Sequence, residues 1–184
     1  MALTSSLVPL GTTVPTFTLP DLHGVAHSVA DFTAPVLVVV FACNHCPYVR
    51  HIEQAMGTFR PGPDLDVVAI SSNDVERYPD DDVDHLAEQA RRAGWQFPYL
   101  VDDSQDVARK FGAVCTPDFF GYGPDRRLAY RGAFDASTPG NGEPVTGDEL
   151  RDAITLIAAG RRVPEFHRPS RGCGIKWLPG NEPR

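Results

Sequence analysis

The sequence predicts an α/β fold in which helices cover a central mixed β-sheet. Short apolar runs rich in β-branched residues alternate with segments whose apolar residues recur at helical spacing. A hairpin pattern and one last helix follow this alternation. The 184 residues can bury a sizeable core and contain no stretch with linker character. We therefore expect a single domain over residues 1–184, with a core at about 10–160 and a C-terminal tail at 161–184.

The central strand is predicted at residues 35–41, where every residue is apolar. Such a run is typical of a strand that is buried on both faces. The other strands are predicted at 14–19, 65–70, 97–101, 119–122 and 128–130. A turn at 123–125 joins the last two as a hairpin.

The first helix is predicted to begin at Pro47 and to end before the Pro-Gly-Pro sequence at 61–63. Its apolar stripe is Val49, Ile52, Ala55, Met56 and Phe59. Further helices are predicted at 82–93, 104–111 with Ser104 as N-cap, and 147–160. The acidic stretch 80–84 is expected to be a solvated helix start.

Composition argues against several classes of function. The net charge is -7, and no basic patch suggests binding to nucleic acid or to an anionic membrane. The N-terminus lacks a basic region followed by an apolar core, and the most apolar run is too short to cross a bilayer. We expect a cytoplasmic protein with no nucleic-acid partner, no membrane partner and no cofactor.

The strongest chemical signal is Cys43-Asn44-His45-Cys46-Pro47, which joins the central strand to the first helix. Cysteines three residues apart at a helix N-terminus lie on one face, and the unpaired N–H groups there favour a thiolate. The motif predicts a thiol–disulfide oxidoreductase in which an exposed Cys43 attacks a substrate disulfide and Cys46 resolves the mixed disulfide. The substrate is expected to be a protein or small-molecule disulfide, with an unidentified thiol as electron donor.

Two features of this motif have alternative interpretations. His45 either donates a hydrogen bond to the Cys43 thiolate, which lowers the pKa of that thiol, or is an ordinary surface residue. The cysteine pair is alternatively half of a zinc-binding or redox-sensing module. Since Cys115 and Cys173 have no zinc-knuckle spacing, we expect no metal.

The chain resembles the thioredoxin superfamily, and in particular its thiol-specific antioxidant and alkyl hydroperoxide reductase-like (peroxiredoxin-like) branch. The resemblance covers about the first 160 residues and rests on segments 14–24, 36–47 and 107–120. It implies a thioredoxin-like fold, here with a C-terminal extension. It also implies that Pro117 is a cis-proline lying against the cysteine pair, and that the backbone of Thr116 pairs with an extended substrate.

The resemblance also implies an alternative activity, that of an antioxidant thiol peroxidase that reduces hydroperoxides. Peroxiredoxins place a Thr three residues before the peroxide-attacking Cys, and here Cys43 occupies that place relative to Cys46. The motif is more similar to the Cys-x-x-Cys members of this branch, which act on disulfides.

Cys115 and Cys173 are candidates for additional redox residues. Cys115 lies two residues before Pro117, and Cys173 has glycine on both sides, which permits close backbone approach. Either both are small buried hydrophobic residues, or the tail folds back and sets Cys173 beside Cys115 as a second dithiol or a relay. In the second case the tail is part of the site.

Overall fold

The computed structural model describes residues 2–5 and 8–183. The helices are α1 (Pro47–Met56), α2 (Val83–Ala93), α3 (Asp106–Phe111) and α4 (Asp148–Ala158). The strands are β1 (Ala2–Thr4), β2 (Thr18–Pro20), β3 (Ala26–Ser28), β4 (Val36–Phe41), β5 (Leu65–Ser71), β6 (Tyr99–Val101), β7 (Cys115–Thr116), β8 (Asp118–Tyr122), β9 (Leu128–Gly132) and β10 (Arg171–Gly174). Among the described residues, no helix has the length and apolar character needed to cross a bilayer.

The main sheet has the strand order β6-β5-β4-β8-β9. Strand β4 runs parallel to β5 and antiparallel to β8, so the sheet is mixed, as predicted. All six residues of β4 are buried, because this strand has a neighbour on each edge and a hydrophobic layer on each face.

Alternation along β4 divides its side chains between two hydrophobic layers. Val36, Val38 and Val40 face the layer that contains the apolar sides of α1, α2 and α4. Leu37 and Phe41 face the opposite layer, together with Val39 and the apolar side of α3. The cysteine pair belongs to the first layer, on the side with three helices.

Most predicted elements agree with the structure except at some of their ends. The strand predicted at 14–19 is an exception, since the structure has only β2 there, which pairs with β3 in a separate two-stranded sheet. Helix α1 ends at Met56, and Phe59 follows in a tighter turn whose N–H donates to the Met56 carbonyl. The N-cap of α3 is Gln105 in the left-handed conformation, not Ser104. The Gln105 amide instead donates to backbone carbonyls of Ser72 and Lys176, a long-range contact that local sequence does not reveal.

A second, three-stranded sheet with the order β1-β10-β7 was not predicted. Its strands are only three, four and two residues long, and β10 has glycine at two of its four positions. Such segments carry no hydrophobic alternation, so the pairing depends on contacts between distant parts of the chain. This sheet brings the C-terminal tail to the end of β4 where the cysteine motif lies.

Candidate active site

The two motif cysteines lie at the junction of β4 and α1. Cys43 follows β4 after a single residue, and Cys46 is the N-cap of α1 with Pro47 at the first helical position. Both cysteines are 0% exposed. The prediction of an exposed Cys43 is therefore wrong, because residues distant in sequence cover the helix N-terminus.

One covering segment is the loop that joins β7 to β8. The Thr116–Pro117 peptide bond is cis, as the family resemblance implies. The Thr116 hydroxyl lies 3.2 Å from Cys43 Sγ, and the Thr116 carbonyl oxygen lies 3.1 Å from Cys46 Sγ. Thr116 therefore contacts both sulfurs, one with its side chain and the other with its backbone.

The other covering segment is β10, which pairs with β7 so that Cys173 lies opposite Thr116 and Gly174 opposite Cys115. Residues opposite one another in an antiparallel pair share a face, so Cys173 and Thr116 point toward the cysteine pair and Cys115 points away. Cys173, partly buried, packs against the hydrophobic cluster that contains Cys43 and Cys46. The Cys115 sulfur instead lies 3.8 Å from the carbonyl oxygen of Pro117. The tail thus folds back onto the site, as one of the two alternatives required, and sets Cys173 opposite Thr116. A bond between Cys115 and Cys173 stays untested.

The surroundings of the two sulfurs place the negative charge on Cys46. A hydrogen bond from Cys43 is the main cause that lowers the pKa of Cys46 to about 5, helped by the Cys173 thiol and by backbone N–H groups of Val49 and Cys173. Burial raises the pKa of Cys43 well above its usual range, and the nearby Cys46 and Asp81 charges add to this effect. A protonated Cys46 donates to the Thr116 carbonyl at 3.1 Å. The directions of the two pKa shifts favour a reduced pair in which Cys46 is the thiolate and Cys43 the thiol.

Asp81 fixes the conformation of the loop between the cysteines. One carboxylate oxygen accepts the backbone N–H groups of Asn44 and His45, at 2.8 and 2.9 Å. The other lies 2.5 Å from His45 Nδ1 and accepts from the Asn73 amide at 2.7 Å. Asp81 is 1% exposed, so the expectation that the whole acidic stretch 80–84 is solvated is wrong at this position. His45 pairs with this carboxylate and stacks on Tyr78, so neither interpretation of His45 from the sequence describes its contacts.

A buried polar network supports the motif from the side of α2. Gln89, fully buried, donates to the Cys43 carbonyl at 3.2 Å and to the carboxylate of Glu53. Glu53 is held by an ion pair of 2.9 Å with Arg92, which also donates to the Asn44 side chain. Sequence analysis missed these residues, because each looks like an ordinary polar residue of an amphipathic helix.

Three potential metal ligands meet beside the pair among the described residues. The sulfur of Cys43, a ring nitrogen of His45 and a carboxylate oxygen of Asp81 lie within 4.8 Å of one another. Sulfur, imidazole and carboxylate form a donor set that suits zinc. However, the Asp81 carboxylate already accepts four hydrogen bonds, so a metal would have to displace some of them.

Solved structures of similar proteins identify the class of fold. A hypothetical protein from Sinorhizobium meliloti is 43% identical, with a TM-score of 0.94 over 96% of this chain and 99% of that one. An uncharacterized conserved protein from Geobacillus kaustophilus is 39% identical, with a TM-score of 0.93 over 98% of both chains. A secreted Mycobacterium tuberculosis disulfide oxidoreductase homologous to E. coli DsbE is 18% identical, with a TM-score of 0.60 over 76% of this chain and 95% of that one. At that identity the likeness concerns the fold alone. A search among curated protein sequences finds no match.

The strand order, the cis-proline and the helix-capping cysteine define a thioredoxin-like protein, which confirms the fold class that the sequence predicts. Within that class, the model of the AhpC/TSA family matches residues 10–134, more than half of the chain. The chain therefore belongs to the AhpC/TSA family, the peroxiredoxin-like branch that the sequence resembles. Membership of this family supports a thiol redox function in general.

Proposed function

We propose that this protein is a thiol–disulfide oxidoreductase whose redox couple is Cys43 and Cys46. The observation that supports this most directly is that both sulfurs meet Thr116 at the N-terminus of α1, Cys43 Sγ at 3.2 Å from its hydroxyl and Cys46 Sγ at 3.1 Å from its carbonyl oxygen. Exchange needs a thiolate as nucleophile and a second sulfur within reach to complete the reaction. The junction of β4 and α1 supplies both.

The lowered pKa of Cys46 and its place as the N-cap of α1 favour it as the nucleophile, which reverses the roles expected from the sequence. The Cys46 thiolate attacks one sulfur of a substrate disulfide, and the other substrate sulfur leaves as a thiolate. The Cys43 sulfur then attacks Cys46 Sγ, and the proton that it loses ends on a departing substrate sulfur. The remaining substrate sulfur leaves, and the Cys43–Cys46 disulfide forms. The substrate gains two electrons, and a thiol donor later returns two electrons to the protein.

Thr116 and Asp81 have positioning roles in this scheme. The Thr116 hydroxyl contacts the Cys43 sulfur at 3.2 Å and can donate to the thiolate that forms there during the second attack. The Asp81 charge disfavours a Cys43 thiolate before substrate arrives, so ionisation is confined to Cys46. Pro117 lines a cleft of about 250 Å³ next to the site, together with Tyr48, Phe134 and Arg171 of the tail.

A peroxidase reaction is the second candidate, because both reacting sulfurs are fully covered. A hydroperoxide is small enough to reach a covered thiolate, whereas an extended polypeptide must first displace β10 from Thr116. The Cys46 thiolate attacks the outer peroxide oxygen, an alcohol leaves, and Cys46 becomes a sulfenic acid. Cys43 then condenses with it, releases water and forms the same disulfide.

Disulfide mapping in cysteine-to-serine variants tests the proposed function. We expect wild-type protein treated with a small disulfide such as oxidised glutathione to form Cys43–Cys46. Cys46→Ser should lose turnover by about 10³-fold or more, as for loss of a covalent nucleophile. Cys43→Ser/Cys173→Ser should still form a mixed disulfide with the substrate at Cys46, but should release its second half slowly. The control is Cys115→Ser, whose sulfur faces away from the pair.

The outcomes separate the candidates. Exchange with disulfides and no turnover of hydroperoxides supports the oxidoreductase. Fast turnover of cumene hydroperoxide that needs Cys46 selects the peroxidase. Reduced protein that contains one zinc per chain and forms no Cys43–Cys46 disulfide under either treatment would contradict both and select the zinc-binding or redox-sensing module.

A further inference from the structure

We infer that Cys173 is a third redox cysteine, which passes thiol–disulfide exchange between solvent and the buried Cys43–Cys46 pair. This inference rests on the proposed function and adds a route for electrons to it.

Cys173 differs from the other three cysteines in its exposure. Cys43, Cys46 and Cys115 are each 0% exposed, whereas Cys173 is partly exposed. An external thiol therefore meets Cys173 first. Cys173 also lies opposite Thr116, whose carbonyl oxygen is 3.1 Å from Cys46 Sγ, and it packs against the cluster that holds Cys46. It therefore links solvent to a sulfur that solvent does not reach.

The strand that carries Cys173 is closely fitted to the site. A Cβ added to Gly172 would lie 1.9 Å from the Thr116 carbonyl oxygen and 2.5 Å from the Thr116 carbonyl carbon. Strand β1 pairs with the outer edge of β10, so that Ala2 lies opposite Cys173. The Lys176 side chain donates to the Gly174 carbonyl, and the Lys176 backbone N–H donates to the Asn73 side-chain oxygen. The Asn73 side-chain amide in turn donates to the Asp81 carboxylate. These contacts fix the position of Cys173 relative to the pair.

The charges on the two sulfurs suit an exchange between them. Burial raises the pKa of Cys173 to about 11, and the Cys46 charge adds to this effect, so Cys173 is a thiol beside a thiolate. A sulfur of low pKa leaves fastest from a disulfide. In a Cys46–Cys173 disulfide, attack from solvent at Cys173 therefore expels the favoured leaving group, Cys46.

Reduction of the oxidised protein then takes three exchanges. Cys173 attacks Cys46 Sγ, the Cys46–Cys173 bond forms, the Cys43–Cys46 bond breaks, and the proton that Cys173 loses ends on Cys43. An external thiolate attacks Cys173 Sγ, which forms a mixed disulfide and releases the Cys46 thiolate. A second external thiolate attacks the external sulfur of that mixed disulfide and releases Cys173. Two external thiols become one external disulfide, and the protein gains two electrons.

A trapping variant tests the central bond. In Cys43→Ser/Cys115→Ser only Cys46 and Cys173 remain. Oxidation with glutathione disulfide should lower the mass of the protein by two hydrogen atoms. A tryptic digest without reductant should link peptide 172–176 to the peptide that ends at Arg50 and contains Cys46. A stable glutathione adduct at Cys46 with no such link would contradict the inference.

A kinetic comparison that leaves the pair intact gives a second test. Wild-type, Cys173→Ser and Cys115→Ser proteins are oxidised to the Cys43–Cys46 disulfide and then reduced with glutathione. We expect Cys173→Ser to be reduced about tenfold more slowly or worse, since its direct route must reach a covered sulfur. The Cys115→Ser control should match wild type, and a transient glutathione adduct on peptide 172–176 should appear in both.

These tests distinguish the inference from the proposed function. If wild-type protein forms no Cys43–Cys46 disulfide, the proposed function fails. If that disulfide forms but Cys173→Ser is reduced at the wild-type rate and the trap gives no link, only the relay is wrong.

Discussion

The ionisation of Cys46 depends on its immediate neighbours. An ordinary cysteine with a pKa of about 8.5 is only a few per cent ionised at neutral pH. Cys46 lies at a helix N-terminus, and the neighbouring Cys43 and Cys173 thiols lower its pKa to about 5. The largest causes that lower the pKa of Cys46 are thus thiols and backbone N–H groups.

This ionisation predicts the pH dependence of reactivity. The thiolate is the reactive form, so its fraction stays near its maximum from neutral pH down to about 6 and falls as the pH drops through about 5. We expect the ultraviolet absorbance of thiolate in the reduced protein to titrate with a midpoint near 5. Cys46→Ser should remove this transition, and Cys115→Ser should retain it. A midpoint above 8 in wild-type protein would contradict the assignment.

The same pKa has a consequence for stability. The folded-state pKa of Cys46 lies well below that of an ordinary cysteine, so its ionisation stabilises the folded state at pH above the unfolded-state pKa. That contribution decreases as the pH falls below the unfolded-state value, and it is lost as the pH passes through about 5.

At the scale of elements, β10 is the segment that closes the site. It is held on one edge by β7 and on the other by β1, although none of these strands is longer than four residues. The close approach of Gly172 to Thr116 is what allows the strand to lie flat on the loop of Pro117. A side chain at position 172 is incompatible with this pairing.

Substitution of Gly172 tests this closure. In Gly172→Ala the added methyl group meets backbone atoms, which cannot rotate away, so β10 must shift from Thr116. We expect the free energy of unfolding to fall by about 1–3 kcal/mol, the usual cost of overpacking. Alkylation of Cys46 by iodoacetamide should be faster than in wild type.

The matched control is Gly174→Ala on the same strand. Its added methyl group meets the Leu3 side chain at 2.9 Å, which can rotate, and the nearest backbone atom lies at 3.9 Å. We expect a smaller change in both measurements. Equal effects of the two substitutions would show that the fit against Thr116 has no special role.

At the scale of the whole molecule, the chain packs on both faces of one central sheet, and the tail contacts both sides of the site. Trp95 is buried in the layer with α1, whereas Trp177 of the tail packs, partly buried, against the opposite layer. A single domain with a core at about 10–160 and a tail at 161–184 remains a prediction of the sequence. Cytoplasmic location likewise remains a prediction.

Single-tryptophan variants test this organisation. We expect Trp95→Phe and Trp177→Phe, each reporting through the remaining tryptophan, to unfold in urea with coincident fluorescence transitions. Circular dichroism of each variant gives the control, since it follows all elements together. A transition seen by Trp177 at clearly lower urea than that seen by Trp95 would show that the tail unfolds separately.

Much of the fold could be predicted because its strongest signals are local. The apolar run before Cys43 is typical of a strand that is covered on both faces, and the structure has β4 there. The apolar stripe after Pro47, and proline at the first position, predict the helix that begins there. The acidic stretch shows where this reasoning fails. Asp81 has acidic neighbours that are exposed or partly exposed, and only its contact with Asn44 and His45, about 36 residues away in sequence, explains its burial.

The sequence by itself determined the mixed sheet, the strand-to-helix position of the two cysteines and, through its resemblance, the family. Each of these depends on residues that are neighbours along the chain. Only the tertiary structure decided which sulfur carries the charge, what covers the pair and which cysteine stands beside it. Those properties depend on Thr116, Asp81 and Cys173, because hydrogen bonds and burial are set by groups that meet in space, whatever their separation in sequence.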